Sequence, residues 1–325
     1  MDVNTVSVIG ATGYLGSHVS SHLASAGFQV RAWGRRRPEG HQEWAKPFAA
    51  FETGDLTDDG TLDRVLADKS DAVVYCVSMD HHETESDLDR AWKVNVRPVW
   101  RLLDRLSGRQ SLRFVYLSTA QVYGLPKGVV DEQTAVNPRN HYALTHLMAE
   151  LLVRRYNDIP RSICASLRVS NGFGAPVFQD ANCWWLVIND FCRTAVKKGK
   201  IQLSSDGLQW RNFVHTDNIA AAVELLLSKS PGAVRSSIYN VGGSRSTTIL
   251  ELAHRVSAAY RSLTGRSVPV VMPDGSTSKG AGEPDAIAGF EYSTAAIEAL
   301  GYRLAVDLNE GIERLLTHLM RGNRS

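Results

Sequence analysis

"VSVIGATGYLGSHVSSHLASAG", residues 6–27, decides the fold. A short apolar run ends at Ile9, glycines follow at positions 10, 13 and 16, and a helix pattern then runs from about Tyr14 to Ala26. A turn this tight needs positive φ and a close backbone approach, and the opening turn of the helix presents free N–H groups to an anion. With a strand before it, an amphipathic helix after it and a second strand "FQVRAW" (28–33) beyond, the stretch reads as a pyrophosphate-binding strand–turn–helix.

Outward from that unit the first half keeps alternating. "DAVVYCV" (71–77), a helix through "DLDRAWKVNVRPVWRLLDRL" (87–106) and the strand "LRFVYLS" (112–118) follow, with Pro98 marking a kink or helix boundary. Near-continuous apolar strands separated by helices indicate a parallel sheet covered on both faces. The expected fold is therefore α/β, a Rossmann-type doubly wound parallel sheet. After Ser166 the alternation becomes irregular. "LRVSNGFGAP" leads into a tryptophan-containing helix, then "KIQLSSDGLQWRNFVHTDNIAAAVELLL", "SIYNVGG", a helix near Ile249 to Leu263 and the loop "PDGSTSKGAGEPD" (273–285). We expect a dinucleotide-binding domain over 1–168, with elements near 213–242 returning to it, and a smaller interleaved C-terminal substrate lobe over 169–212 and 243–325.

Composition narrows the function classes. The chain has 325 residues, 43% of them hydrophobic, enough for a substantial core. Its 36 basic residues nearly balance 34 acidic ones, which leaves no charge footprint for nucleic acid or a membrane surface. Four scattered cysteines without a CxxC pair read as apolar fillers in a reducing compartment. No signal peptide or membrane span is expected, and a cytoplasmic protein is. His81 and His82 form no metal set, so no metal site is expected.

The second strand bears on cofactor choice. A carboxylate at its end would accept hydrogen bonds from the ribose hydroxyls of NAD. The chain instead reads "VRAWGRRRP", with Gly34 at that place and Arg35, Arg36 and Arg37 after it. Guanidinium forks suit a 2′-phosphate, so NADP(H) is favoured, with NAD(H) possible. In "ETGDLTD" Asp55 and Leu56 could hold the adenine edge; Asp55 could equally cap the helix that begins near Asp59.

These features, with "YLSTAQVYG" (116–124), the helix "HYALTHLMAE" (141–150), "LRVSNGFG" and "WRNFVHTDNIA", resemble the extended short-chain dehydrogenases/reductases, the NAD(P)-dependent nucleotide-sugar epimerases, dehydratases and ketoreductases. The resemblance implies cofactor contacts at Gly10, Thr12, Gly13, Tyr14, Leu15, Gly16, Arg35, Arg36, Asp55, Leu56, Val77, Tyr142 and His146. It implies that Thr119 hydrogen-bonds the reacting sugar oxygen, that Tyr142 exchanges a proton with it, and that Asn171 and Arg211 meet the nucleotide diphosphate. Asn95 matches a supporting asparagine of the family. Water-eliminating relatives follow the hydroxyl with an acid pair; here Ala120 and Gln121 stand there, which argues against a 4,6-dehydratase. The family's second nucleotide-binding arginine is missing from "SKGAGEPDA", where Lys279 could serve as a point charge. Trp184, Trp185 and Trp210 are candidates to line a base or sugar pocket, or to be core.

One departure is informative. The family places a lysine four residues after the tyrosine, and this chain has His146. Ionising a tyrosine at neutral pH requires about 4 kcal/mol of differential stabilisation, which a fixed lysine charge can provide and a mostly neutral imidazole cannot. Donating a proton to a ketone needs only the neutral phenol. The sequence is therefore read as an NADP(H)-dependent ketoreductase acting on a nucleotide-linked keto-sugar. The alternatives are a nucleotide-sugar epimerase with a tightly bound cofactor or, in another class, a non-catalytic dinucleotide-binding regulatory protein. The resemblance also implies a homodimer, through the helix around Trp92 to Leu106 and the helix carrying Tyr142.

Overall fold

The computed structural model describes residues 3–67, 70–108, 111–278 and 289–322. The expected doubly wound sheet is present. Its first five strands are β1 (Thr5–Ile9), β2 (Gln29–Gly34), β3 (Ala50–Thr53), β4 (Ala72–Tyr75) and β5 (Arg113–Thr119), joined by Ile163–Val169 and Ile238–Val241. All seven pair in parallel, in the order Ile238–Val241, Ile163–Val169, β5, β4, β1, β2, β3. Strand order reverses between β1 and β4, and ligands of open α/β sheets bind in the crevice beyond the strand ends at such a point.

Alternation along each strand splits the core into two layers. Val6, Val8, Val115 and Leu117 face helix α1 (Tyr14–Ser25) and the helix Thr216–Ser228. Ile9, Tyr75, Phe114 and Tyr116 face the helices Asp59–Ala67, Arg97–Leu106 and His141–Arg155. Burying Phe114 alone contributes about 2–3 kcal/mol.

The long helix expected over 87–106 is broken up. Leu88–Ala91 passes into a π-helical turn, Trp92–Val96, before Arg97–Leu106. Proline has no N–H to give the carbonyl four residues earlier, which for Pro98 is that of Val94. The Tyr75 hydroxyl supplies the missing bond, donating to the Val94 carbonyl at 3.2 Å.

Of the segment 213–242, the helix Thr216–Ser228 and the strand Ile238–Val241 pack with the main sheet, while Trp210–His215 joins a separate three-stranded sheet with Asn171–Phe173 and Ser246–Thr248. A third core, including Phe173, Ile188, Phe191, Leu252, Ile312 and Leu315, underlies this smaller lobe. The helix expected to contain the tryptophans begins after them, at Val187. Trp185 instead donates its indole N–H to the Asn182 carbonyl at 3.2 Å, in the turn that leads in. Among the described residues no helix is long and apolar enough to cross a membrane.

Candidate active site

One cleft of about 730 Å³ runs over the carboxyl ends of β1, β2, β4 and β5. Its walls include Gly10, Thr12, Gly13, Tyr14, Leu15, Arg35, Arg36, Asp55, Leu56, Val77, Thr119, Tyr142, His146 and Asn171. Two of the expected residues stand outside this wall, Gly16 and Arg211.

The glycine turn is a backbone surface. Gly10 has φ +82°, and a Cβ there would meet Val77 Cγ2 at 2.8 Å. A Cβ on Gly16 would lie 2.1 Å from the Gly10 carbonyl oxygen, so Gly16 sits beneath the cleft and allows helix and turn to touch. Gly13 precedes α1 without a side-chain cap, and the first turn carries no acid. The opening N–H groups of α1 are thus left to an anion. This is a cradle that a side chain would fill, and it fits a dinucleotide pyrophosphate. Tyr14 turns its hydroxyl away, donating to the Gly174 carbonyl at 2.9 Å, and burial raises its pKa.

At the end of β2 a Cβ on Gly34 would meet both Thr12 Oγ1 and Cγ2 at 2.6 Å. A side chain at this position, such as the acid that the ribose hydroxyls of NAD would meet, would have to displace the Thr12 side chain. The arginine trio divides: Arg35 lines the cleft, Arg36 lines it while paired to Asp180, and Arg37 lies over the Phe51 ring at 5.6 Å. Asp55 accepts from the Thr57 backbone N–H at 2.8 Å and from its hydroxyl at 2.7 Å. Those bonds, with a smaller pull from Arg35, hold its carboxyl below the usual range. The alternative role of Asp55 as a helix cap goes to Asp58, which accepts from the Thr61 N–H at 2.9 Å.

At the other end of the cleft Thr119 closes β5, 7% exposed. Its hydroxyl accepts from the Gln121 N–H at 3.2 Å, which leaves the hydroxyl proton to be given to a ligand oxygen. Asn140 caps the helix His141–Arg155 by accepting from the Ala143 N–H at 2.7 Å, which sets Tyr142 in the first turn at the cleft wall. Positions i and i+4 share a helix face, and the Tyr142 and His146 rings meet edge to face at 4.5 Å. Burial pushes the Tyr142 phenol up to about 12, partly offset by the Ser78 hydroxyl beside it.

His146 is 2% exposed, and both ring nitrogens are engaged within the protein: Nδ1 with the Tyr116 hydroxyl at 2.7 Å and Nε2 with Ser78 Oγ at 3.2 Å. Burial brings it down to about 3, so the ring is neutral at physiological pH. A ribose hydroxyl reaching Nε2 would have to displace Ser78.

The remaining expected contacts separate. Asn171 lines the cleft while its amide donates to the Asn212 carbonyl at 2.8 Å. Arg211 is exposed on the central strand of the small sheet, its Nη1 donating to the Trp210 carbonyl at 2.9 Å. Asn95 accepts from the Met79 N–H at 2.8 Å and donates to Thr145 at 3.1 Å, supporting the site from behind. Trp185 lines the cleft, Trp184 lies under Arg193 at 5.6 Å, and Trp210 packs beside Gly289. Lys279 lies outside the described residues. Among the described residues no group of His, Cys, Asp and Glu could hold a metal ion.

Several participants carry no local signal in the sequence. Ser78 follows β4 where an apolar run simply ends, and Tyr116 reads as a core strand residue. Only the register of β5 against the His141–Arg155 helix joins Tyr116 to His146. Arg90 and Lys93 also line the cleft and add positive charge to it.

Comparison with known proteins agrees with this geometry. A family model described as the NAD dependent epimerase/dehydratase family matches residues 6–242. A UDP-glucose 4-epimerase of Lactobacillus helveticus is 26% identical over 313 residues, covering 92% of this chain and 91% of the relative. A dTDP-L-rhamnose 4-epimerase of Burkholderia thailandensis is 24% identical over 303 residues, covering 80% and 82%. Among solved structures, the UDP-glucose 4-epimerase of Thermus thermophilus in complex with NAD superposes with a TM-score of 0.78 at 23% identity, over 98% of this chain and 99% of that one.

Proposed function

The chain belongs to the NAD-dependent epimerase/dehydratase family, within the extended short-chain dehydrogenases/reductases, and from that premise we propose that it inverts a carbon of a nucleotide-linked sugar by hydride exchange. The observation that carries this reading is that Thr119 and Tyr142 converge on the same cleft as the glycine turn. The activities named for the relatives favour epimerisation over net reduction.

A nicotinamide dinucleotide bound there supplies the hydride acceptor and donor. The chain's residues do the rest. Gly10, Gly13 and the opening of α1 receive the pyrophosphate, and Leu56 and Val77 provide apolar wall. Arg35, together with the crowded Gly34, favours NADP(H) over NAD(H). Thr119 donates to the reacting sugar oxygen, and Tyr142, ionised, takes the proton from that oxygen during oxidation and, as the neutral phenol, returns it during reduction. Asn171, Arg90 and Lys93, all on the cleft wall, are assigned the diphosphate in this reading.

A second reading, net reduction of a nucleotide-linked keto-sugar, is favoured by one observation: the ring beside Tyr142 is neutral, and a neutral phenol suffices to donate a proton. The two readings separate on stoichiometry. With UDP- and dTDP-hexoses, an epimeric mixture formed without net consumption of reduced cofactor supports the first. Consumption of one NADPH per keto-sugar selects the second. Dinucleotide binding with no turnover of any of these substrates would overturn both and leave a non-catalytic binding protein.

The chain is further proposed to work as a homodimer. Leu88, Trp92 and Trp100 on the 88–106 segment and Leu151 on the Tyr142 helix are each more than 40% exposed, an apolar face that water does not favour. Sedimentation of the wild type as a dimer, and of Trp100→Glu with Leu151→Glu as a monomer, is the expected result.

A further inference from the structure

If Tyr142 exchanges the proton, what replaces the cation beside it? The groups facing it are His146 on its own helix, and Ser78, Asp80 and His81 from the segment after β4, the last with ring centroids 6.2 Å away. Asp80 opposes ionisation. Behind His146 stand Tyr116 on β5 and, one turn further along the helix, Glu150, whose carboxylate is held by Arg168 at 2.7 Å and by Ser118 at 2.5 Å.

The protons of this cluster can be placed in one way that leaves no group stranded. Ser78 has a single hydroxyl proton and gives it to the Met79 carbonyl at 2.7 Å. His146 Nε2, 3.2 Å from the Ser78 hydroxyl oxygen, must then be the donor. Nδ1 is left as a bare lone pair, and the Tyr116 hydroxyl donates to it at 2.7 Å. The opposite tautomer would strand the Tyr116 proton in a fully buried site and take Ser78 from Met79.

We propose that Tyr116 and Ser78 are positioning residues that lock His146 as its Nε2–H tautomer, leaving the Ser78 hydroxyl to swing from the Met79 carbonyl to the Tyr142 oxygen when that oxygen loses its proton. The His146 N–H stays on Ser78 in both states, so the swing makes and breaks hydrogen bonds only. A chain of neutral dipoles thereby does part of what a lysine charge would do. This inference rests on the reading of Tyr142 as the proton-exchanging group.

Its test uses the full chain in wild-type, Tyr116→Phe, Ser78→Ala and Ser78→Thr forms, with two independent readouts. In nitrogen NMR of histidine-labelled protein, with His146 assigned by the signals lost in His146→Gln, the wild type is expected as the Nε2–H tautomer and Tyr116→Phe as a mixture with Nδ1–H. In the pH profile of kcat for alcohol oxidation, Tyr116→Phe and Ser78→Ala are expected to move the acidic limb up by about one unit, roughly tenfold slower at a fixed pH on that limb, and Ser78→Thr to restore it. The dinucleotide Kd of Tyr116→Phe should stay unchanged. An Nδ1–H tautomer in the wild type, or a limb that neither variant moves, overturns the proposal. If the wild type turns over no nucleotide sugar, the proposed activity falls while the spectra still decide the lock.

Discussion

At the Gly10–Gly16 turn the backbone itself is the site, whereas at Tyr142 the site is assembled from side chains of three separate segments. The turn works by what is absent: a Cβ at Gly10 or Gly16 would collide with Val77 or the Gly10 carbonyl. The Tyr142 face works by what is present, a phenol beside a buried imidazole held by Ser78 and Tyr116. Steric requirements tolerate almost no substitution. Hydrogen-bonded side chains can be exchanged for others of similar reach.

Substitutions on the two sides should therefore fail differently, and the largest effect is expected at Tyr142. Tyr142→Phe should lower kcat by about a hundred- to ten-thousandfold while leaving dinucleotide binding intact, measured by steady-state kinetics alongside a binding titration. A loss of binding equal to the loss of rate would erase the distinction between the two regions.

The next effect is on stability and comes from His146. Its folded pKa lies near 3, below the unfolded value, so between pH 6.5 and 3 the unfolded chain binds the extra proton. Stability is present above pH 6.5 and is lost as the pH falls through that window, by on the order of 5 kcal/mol from this group. Denaturant unfolding across that range should show a shallower loss in His146→Gln than in the wild type. Equal slopes would mean that the imidazole is not buried as a neutral ring.

Gly16→Ala tests the other side. The chain should either fail to fold or fold and bind the dinucleotide at least about a hundredfold more weakly, about 3 kcal/mol, read by circular dichroism and calorimetry together. Normal binding by a folded variant would sink the steric account of the turn. The smallest expected effect is that of Arg35→Ala, roughly tenfold weaker binding of NADP(H) with NAD(H) binding unchanged, measured by titration with each cofactor. Parallel loss for both cofactors would remove Arg35 from any role at the 2′-phosphate.

The same contrast explains what the amino-acid order made legible. A turn with glycine at three positions announces itself, and apolar runs alternating with helices announce the parallel sheet. Tyr142 and Thr119 stood out through family resemblance, since a strand-end threonine and a helical tyrosine carry no local signature. Tyr116 and Ser78 were invisible because their meeting with His146 depends on how β5 and the segment after β4 register against a helix that comes later in the chain. The π-helical turn before Pro98 was legible only as a boundary, because the Tyr75 hydroxyl that satisfies it comes from another strand. Arg211 was expected at the diphosphate, and it stands exposed outside the cleft wall, on a strand paired with Ser246–Thr248.

The most direct test of the whole account is a single-turnover experiment that follows nicotinamide absorbance after the cofactor-loaded protein is mixed with nucleotide sugars and their 4-keto forms. The expected result is a change in the redox state of the cofactor with at least one of them, abolished in Tyr142→Phe. Tight cofactor binding with no redox change in either direction would contradict it.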